Sequence, residues 1–492
     1  MTHNGAKNGS SSEGLYRMLP SVNDLLLTDG VAALIESSTH GAVVHATRIA
    51  LERVRKEISR GEHTQQSLLE CVAGLPDAIG RLLHTEFQYS LRRVINATGV
   101  ILHTNLGRAP LSKPALKHLV RIARGYSNLE LDLDSGERGT RDVHVENLIL
   151  GLIGIETGAA AQMDAYRAIV VNNCAAATFL ALQTLANGKE VIVSRGELVE
   201  IGGGFRIPEI LAQSGALLKE VGTTNRTRLA DYEIALTPNT GLILRVHQSN
   251  FSMEGFVERP GCEELVALSK RSGIPIFEDQ GTGLLHMLAS YGIEGEATLF
   301  DSIKVGCDLV CASGDKLLGG PQCGILIGKM ELVEKIRRNP LFRTYRVDKL
   351  VYAALEGTLV QYLSGSPELI PIVRMIRLTP LEIKNRCEHI AAELNACGMG
   401  VEVVPVESLI GGGTAPKAKL PSYAISIEIE SLGAAEVLRN LRSLNTPIIG
   451  RISEDRVLLD LRTVDAESDR DLIDALSHLS GVEQPRVAAP GR

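Results

Sequence analysis

Between residues 43 and 61, apolar or β-branched side chains recur at spacings of three and four, at Val44, Thr47, Leu51, Val54 and Ile58. That period predicts an amphipathic helix with one face on a core. The helical pattern extends over the whole stretch from Leu19 to about Tyr89. After Ser90 the texture changes to short β-branched runs, each followed by a glycine-rich or polar turn and then a helical stretch. The runs fall at 168–171, 191–194, 242–246, 274–277, 309–312 and 324–327. Such alternation predicts an α/β fold, a mostly parallel sheet with helices on both faces and ligands at the carboxyl ends of its strands. From about Ser364 a helix at 379–395 and strand-like runs at 401–404, 423–427 and 457–461 suggest a small α+β domain. The expected layout is a disordered Gly/Ser-rich segment 1–14, an N-terminal helical domain 15–90, a large α/β domain 91–365, a small C-terminal domain 366–480 and a tail 481–492.

Composition narrows the function. The 492 residues hold no apolar run near the roughly 18 to 20 residues that a membrane span needs. The N-terminus MTHNGAKNGSSSEG lacks the apolar centre of a signal peptide, so a cytoplasmic protein is expected. A net charge of −7 gives no global sign of nucleic-acid binding, and residues 1–90 carry eight Lys and Arg against ten Asp and Glu. Any such surface must be local. Arg48, Arg53, Arg55, Lys56 and Arg60 lie off the apolar stripe of the 43–61 helix, as a solvated face or as a patch that touches phosphates. The eight cysteines form no CxxC pair and no Cys/His metal spacing, and read as reduced thiols in the core or lining a site.

The chemistry centres on GDKLLGGPQCG, residues 314–324, just after the run 309–312. A lysine beside an acid, followed by glycines, is odd for a surface charge; the glycines read as room for the lysine to move and for the chain to pass close to a ligand. Thirty-seven residues earlier, a strand runs into Glu278-Asp279-Gln280-Gly281. A lysine that links to pyridoxal 5'-phosphate as a Schiff base, and an aspartate that keeps the pyridine nitrogen protonated, are what that cofactor requires. Lys316 and Asp279 are the candidates. Lys304 and Lys329 are rivals without the strand, turn and glycine context. The turn from Val171 through Asn173, Cys174, Ala175 and Thr178 opens an alanine-rich helix and offers backbone N–H groups to the cofactor's phosphate. His247, near a strand end, is either a cofactor contact or a structural histidine. Gly202–Gly204 lacks GxGxxG spacing and no phosphate loop of the GxxxxGK type occurs, so NAD or ATP use finds no support. Gly411–Gly413 reads equally as a flexible turn.

With these pieces in place, the chain closely resembles the bacterial selenocysteine synthase family, the L-seryl-tRNA(Sec) selenium transferases, which are fold-type I pyridoxal phosphate enzymes. The resemblance runs from Leu19 to Thr463 through Asn96-Ala97-Thr98-Gly99, His103 to Arg108, Tyr126 to Glu130, Gly136-Glu137-Arg138-Gly139, Gly222 to Thr227, GDKLLGGPQ and Arg346-Val347-Asp348-Lys349. It implies that Lys316 carries the cofactor, that Asp279 supports its ring nitrogen, and that Arg108, Arg343 and Arg346 hold the selenium donor, selenophosphate. Several guanidinium groups forking onto a compact multianion make physical sense of the last assignment. Also implied are loss of the seryl hydroxyl, addition of selenium to the aminoacrylyl-tRNA, seryl-tRNA(Sec) contact through the helical domain, and a large homo-oligomer, a decameric ring of dimers. Asp315 is a candidate for proton movement by adjacency, and Arg53, Lys56 and Arg60 are candidates for tRNA contact. Cys323, and Thr344-Tyr345 between the two arginines, depart from the smaller or more apolar residues expected there. A lyase for a small amino acid or amino sugar, or a tRNA-binding scaffold with a dead site, are the competing readings. The first would not require the N-terminal domain and the paired arginines; the second conflicts with the presence of both Lys316 and Asp279.

Overall fold

The structure, a computed structural model, describes residues 9–86, 89–158, 164–201, 204–248, 251–285, 291, 293, 296–416, 418–429 and 432–479. The chain divides into two compact units, residues 1–93 and 94–492.

The described elements of the first unit are all helices: Gly9–Tyr16, Val22–Leu26, Asp29–Ser37, His40–Ser59, Gln65–Ala73 and Leu75–Glu86. Side-chain caps set the starts, with Ser21, Thr39 and Thr64 each accepting from the backbone N–H three residues on. The long helix buries Val43, Thr47, Leu51, Val54 and Ile58 against Leu25, Val31, Leu68 and Ile79. Val43 takes the place predicted for Val44, which is half-buried, because the four-residue step back from Thr47 continues the stripe. Of the segment 1–14, residues 1–8 lie outside the described residues and 9–14 belong to the first helix. Residues 480–492 also lie outside them.

The second unit holds a seven-stranded sheet: β1 Tyr166–Val171, β2 Glu190–Ser194, β3 Leu217–Val221, β4 Thr240–Val246, β5 Ile276–Gly281, β6 Leu309–Ser313 and β7 Gly324–Lys329. Their spatial order is β1-β7-β6-β5-β4-β2-β3, and all are parallel except β7, which is antiparallel to both neighbours. Alternate residues feed two cores, Ile243, Ile276 and Val310 on one face and Leu244, Phe277 and Leu309 on the other. Burial on both faces is why these strands read as continuous apolar runs. The edge strand β3 escapes that pattern because Lys219 and Glu220 occupy its middle. Strand β5 starts later than predicted and runs on to Gly281, so Glu278 and Asp279 lie inside it, paired with Arg245 and Val246 of β4.

A second sheet is antiparallel: β8 Val401–Leu409, β9 Lys419–Ile427, β10 Arg451–Ser453 and β11 Arg456–Asp460, in the order β8-β9-β11-β10. Helices Pro380–Ala396, Ala434–Arg442 and Asp469–Leu479 pack on it. Ile95 and Ala97 belong to this core, and Ile95–Asn96 pairs with Ile448–Ile449, so the chain enters the second unit through the region expected to close it. No described helix is long and apolar enough to cross a membrane.

Candidate active site

Strand β6 delivers the chain into the 314–324 turn, which the surrounding structure clamps. Leu317 N–H donates to Thr282 O at 3.0 Å, and the Tyr362 hydroxyl donates to Leu318 O at 2.9 Å. The glycines serve this packing: a Cβ at Gly314 would overlap Cys323 and Pro321, and Gly319, at φ +76°, lies against Ile370. Room for lysine movement is therefore not what they supply. Cys323 itself is fully buried under Gly314.

Lys316 is 6% exposed, and Asp315 and Asp279 are each 5% exposed. Charged groups are rarely buried so deeply without partners. Asp279 Oδ2 accepts from the Thr178 hydroxyl at 2.9 Å, and Oδ1 lies 3.4 Å from the Cys174 thiol. Burial pushes the Asp279 carboxyl up, against the Thr178 and Cys174 hydrogen bonds and the Lys316 charge. A Cβ added at Gly281 would sit 3.6 Å from Asp279 Oδ1 and 3.9 Å from Lys316 Nζ, so the missing side chain leaves open a point that faces both. The rival lysines are elsewhere: Lys304 is exposed on a helix, and Lys329 pairs with Asp308 at 2.6 Å on the surface.

Asn173 caps the helix Cys174–Ala186, its Oδ1 accepting from Ala176 N–H at 2.8 Å. The N–H groups of Cys174 and Ala175 open that helix, and a helix's first amides have no acceptor within it. Thr178 lies one turn in, fully buried beneath Asp279, so its hydroxyl serves the carboxylate and faces no anion at the helix start. His247 follows β4, and its backbone N–H donates to Asp279 O at 3.0 Å. Its Nε2 is 3.4 Å from Glu296 Oε2, and its Nδ1 is buried without a partner among the described residues. Burial, then the charges of Arg245 and Lys316, hold the ring down to about 4, so it is neutral at pH 7. A cavity of about 490 Å³ beside it is lined by Glu197, Arg245, Arg259, Glu278 and Glu296 among others. Burial pushes the Glu197 carboxyl up to about 7.

The three anion-site candidates are not brought together. Arg108, at φ 62°, places Nη1 2.7 Å from Asp315 Oδ2. Arg343 and Arg346 flank the end of the short helix Pro340–Tyr345 and line another cavity, of about 480 Å³, which Arg108 does not line. There Glu130 bridges Arg141 at 2.5 Å, Arg138 at 2.7 Å and Arg346 at 3.5 Å. Sequence reasoning missed Glu130, Arg138 and Arg141 as lining residues, although all three stand in or beside the motifs that carry the family resemblance. Asp315, placed by adjacency, has its carboxylate committed to Arg108. In the N-terminal unit, exposed Arg53 pairs with Glu57 at 3.2 Å and Arg60 with Glu62 at 3.8 Å, while Lys56 lies in the helix's last turn.

A family profile described as "L-seryl-tRNA selenium transferase" matches residues 94–465, and one described as "Selenocysteine synthase N terminal" matches residues 16–55. The chain belongs to the L-seryl-tRNA selenium transferase family. It is 44% identical to the L-seryl-tRNA(Sec) selenium transferase of Aquifex aeolicus over 89% of this chain and 94% of that one. The enzyme of the same name from Caldanaerobacter subterraneus subsp. tengcongensis is 43% identical over 96% of this chain and all of the relative. Among solved structures, D-glucosaminate-6-phosphate ammonia-lyase superposes with a TM-score of 0.54 at 18% identity, over 80% of this chain and 96% of that chain. The fold is that of the fold-type I pyridoxal phosphate enzymes, with a helical N-terminal region added.

Proposed function

We propose that this protein converts L-seryl-tRNA(Sec) to L-selenocysteinyl-tRNA(Sec) with selenophosphate as selenium donor, and that Lys316 and Asp279 hold its pyridoxal 5'-phosphate. The observation that carries the reading is the open point beside Gly281, faced at once by a buried amine and a buried carboxylate in a chain of this family. The residues present fit the cofactor: an amine for its aldehyde, a carboxylate for its ring nitrogen, and the helix start at Cys174 and Ala175 for its phosphate. When bound, pyridoxal phosphate supplies an electron sink for the pair left at the seryl Cα.

Asp279 would keep a proton on the ring nitrogen, and the hydrogen bonds from Thr178 and Cys174 favour its ionised form against the upward push of burial. The Lys316 amine takes the Cα proton, and its burial excludes bulk water from that exchange. His247, neutral at pH 7, adds no positive charge beside the lysine. Arg343 and Arg346 bind the donor anion, and Glu130, which occupies the same cavity, must yield to it. Arg108 is oriented by Asp315. The N-terminal helices carry the tRNA, with Arg53, Lys56 and Arg60 as phosphate contacts, and the protein works as a homo-oligomer, a decameric ring of dimers, in the cytoplasm.

The test is incubation of purified protein with seryl-tRNA(Sec) and selenophosphate, with chromatography of the released aminoacyl group. Selenocysteine is expected from wild type and none from Lys316→Ala. Turnover of free serine in place of the charged tRNA would overturn the reading.

A further inference from the structure

Two thiol pairs lie inside the second unit, and their surroundings differ in sign. Cys174 Sγ is 3.5 Å from Cys311 Sγ, with the Asp279 carboxylate against it. Cys262 Sγ is 3.3 Å from Cys307 Sγ, with the Arg245 guanidinium reaching Cys262. Cys262 is also the first residue of the eleven-residue helix Cys262–Ser272, where backbone N–H groups favour negative charge. It is half-buried, whereas Cys307 is fully buried and directs its thiol at Glu278 Oε2, 3.7 Å away.

We propose that Cys262 and Cys307 form a peroxide-reactive thiol pair, in which Cys262 is oxidised first and Cys307 closes a reversible disulfide. The direction of the pair follows from its surroundings. Contact with Cys307, with help from Arg245, holds the Cys262 thiol below its usual range, while Cys307 is pushed up by Cys262 and by burial. At the other pair the Cys311 hydrogen bond acts downward, but burial and Asp279 leave Cys174 above its usual range. A metal ion suits the Cys262, Glu278 and Cys307 cluster poorly, because Arg245 Nη1 lies 3.1 Å from Glu278 Oε1 and already neutralises the carboxylate.

In the first step the Cys262 thiolate attacks one peroxide oxygen, the O–O bond breaks, and hydroxide leaves and takes a solvent proton. Cys262 is then a sulfenic acid. In the second, Cys307 sulfur attacks Cys262 Sγ as its proton passes to Glu278 Oε2; the S–O bond breaks and the departing hydroxide takes that proton. Two thiols lose two electrons and two hydrogens, and one hydrogen peroxide becomes two waters. The sulfurs need to approach by only about 1.3 Å to reach bonding distance. The bond takes the Cys307 donor from Glu278 and the sulfur from Arg245, and both of these charged groups line the cavity beside His247.

The experiment treats the holoenzyme with one equivalent of hydrogen peroxide, blocks free thiols, and maps peptides by mass. The expected product is a Cys262–Cys307 linked peptide, two hydrogens lighter than its parts, that forms before any change at Cys174 or Cys311 and disappears with dithiothreitol. In Cys307→Ser, dimedone is expected on Cys262. First oxidation at another cysteine, or oxidised Cys262 in wild type without the link, would overturn the proposal. Both outcomes are read on the wild-type protein, so the decision stands even where the variant does not fold.

Discussion

Thr178→Val removes one oxygen and keeps the side chain's shape, at a residue that is fully buried and touches no substrate. The hydroxyl lies 2.9 Å from Asp279 Oδ2 and 3.0 Å from Cys174 O. It has one proton to give, and an ionised carboxylate is the stronger acceptor. A hydrogen bond to a charged group contributes about 1.5 to 3 kcal/mol. Its loss falls on the ionised form of Asp279 alone, because a protonated carboxyl needs no donor there. Burial already pushes this carboxyl up, and Thr178 is foremost among the groups that oppose the push. The sign is then set: turnover that needs the carboxylate is lost as pH falls through its pKa, and Thr178→Val moves that loss to higher pH. The stated energy corresponds to a move of the acid limb of kcat upward by roughly one to two pH units, with KM for both substrates unchanged. The assay is selenocysteinyl-tRNA formation between pH 6 and 9 at saturating donor, with Thr178→Ser as the variant that restores the hydroxyl. A valine variant with wild-type kcat and an unmoved acid limb would show that Asp279 does not depend on this bond.

Glu197, pushed up from 4.5 to about 7 by burial, holds its proton more tightly folded than unfolded, so its contribution to stability is lost as pH rises through that window. Glu197→Gln should raise stability at pH 8 by up to ~3 kcal/mol and change it little near pH 4; an equal effect on the denaturant midpoint at both pH values would contradict the assignment. Asp315→Asn should spare release of the seryl hydroxyl and raise the KM for selenophosphate through a loosened Arg108. A lost elimination step with unchanged KM would return Asp315 to a proton-moving role. Replacing Arg53, Lys56 and Arg60 with glutamine should weaken tRNA binding and reduce its salt slope by about 0.9 for each phosphate that is no longer neutralised, and a slope equal to wild type would place the tRNA elsewhere.

What sequence periodicity reveals is one element at a time, and the site divides along that line. The strands that carry the centre were legible because burial on both faces leaves an apolar run, and Lys316 stood out because charge, turn and glycines meet within eleven residues. The partner relations needed the sheet's register. Asp279 and Cys311 face each other only because β5 and β6 pair in parallel at those residues, and Thr178 meets both only because its helix crosses that face. Spacing of cysteines along the chain likewise hides both thiol pairs, whose members stand 137 and 45 residues apart. The arginines make the limit sharpest. A multianion needs its guanidinium groups together, yet within one chain Arg108 serves Asp315 while Arg343 and Arg346 share a cavity with Glu130. If all three hold one donor anion, then either the 314–324 turn and the 340–346 segment approach when substrate binds, or Arg108 and the paired arginines come from different copies in the oligomer. Mixing an Arg108→Ala chain with an Arg346→Ala chain separates these. Restored turnover in the mixture requires two copies at one site, and two inactive parents that stay inactive when mixed require the movement.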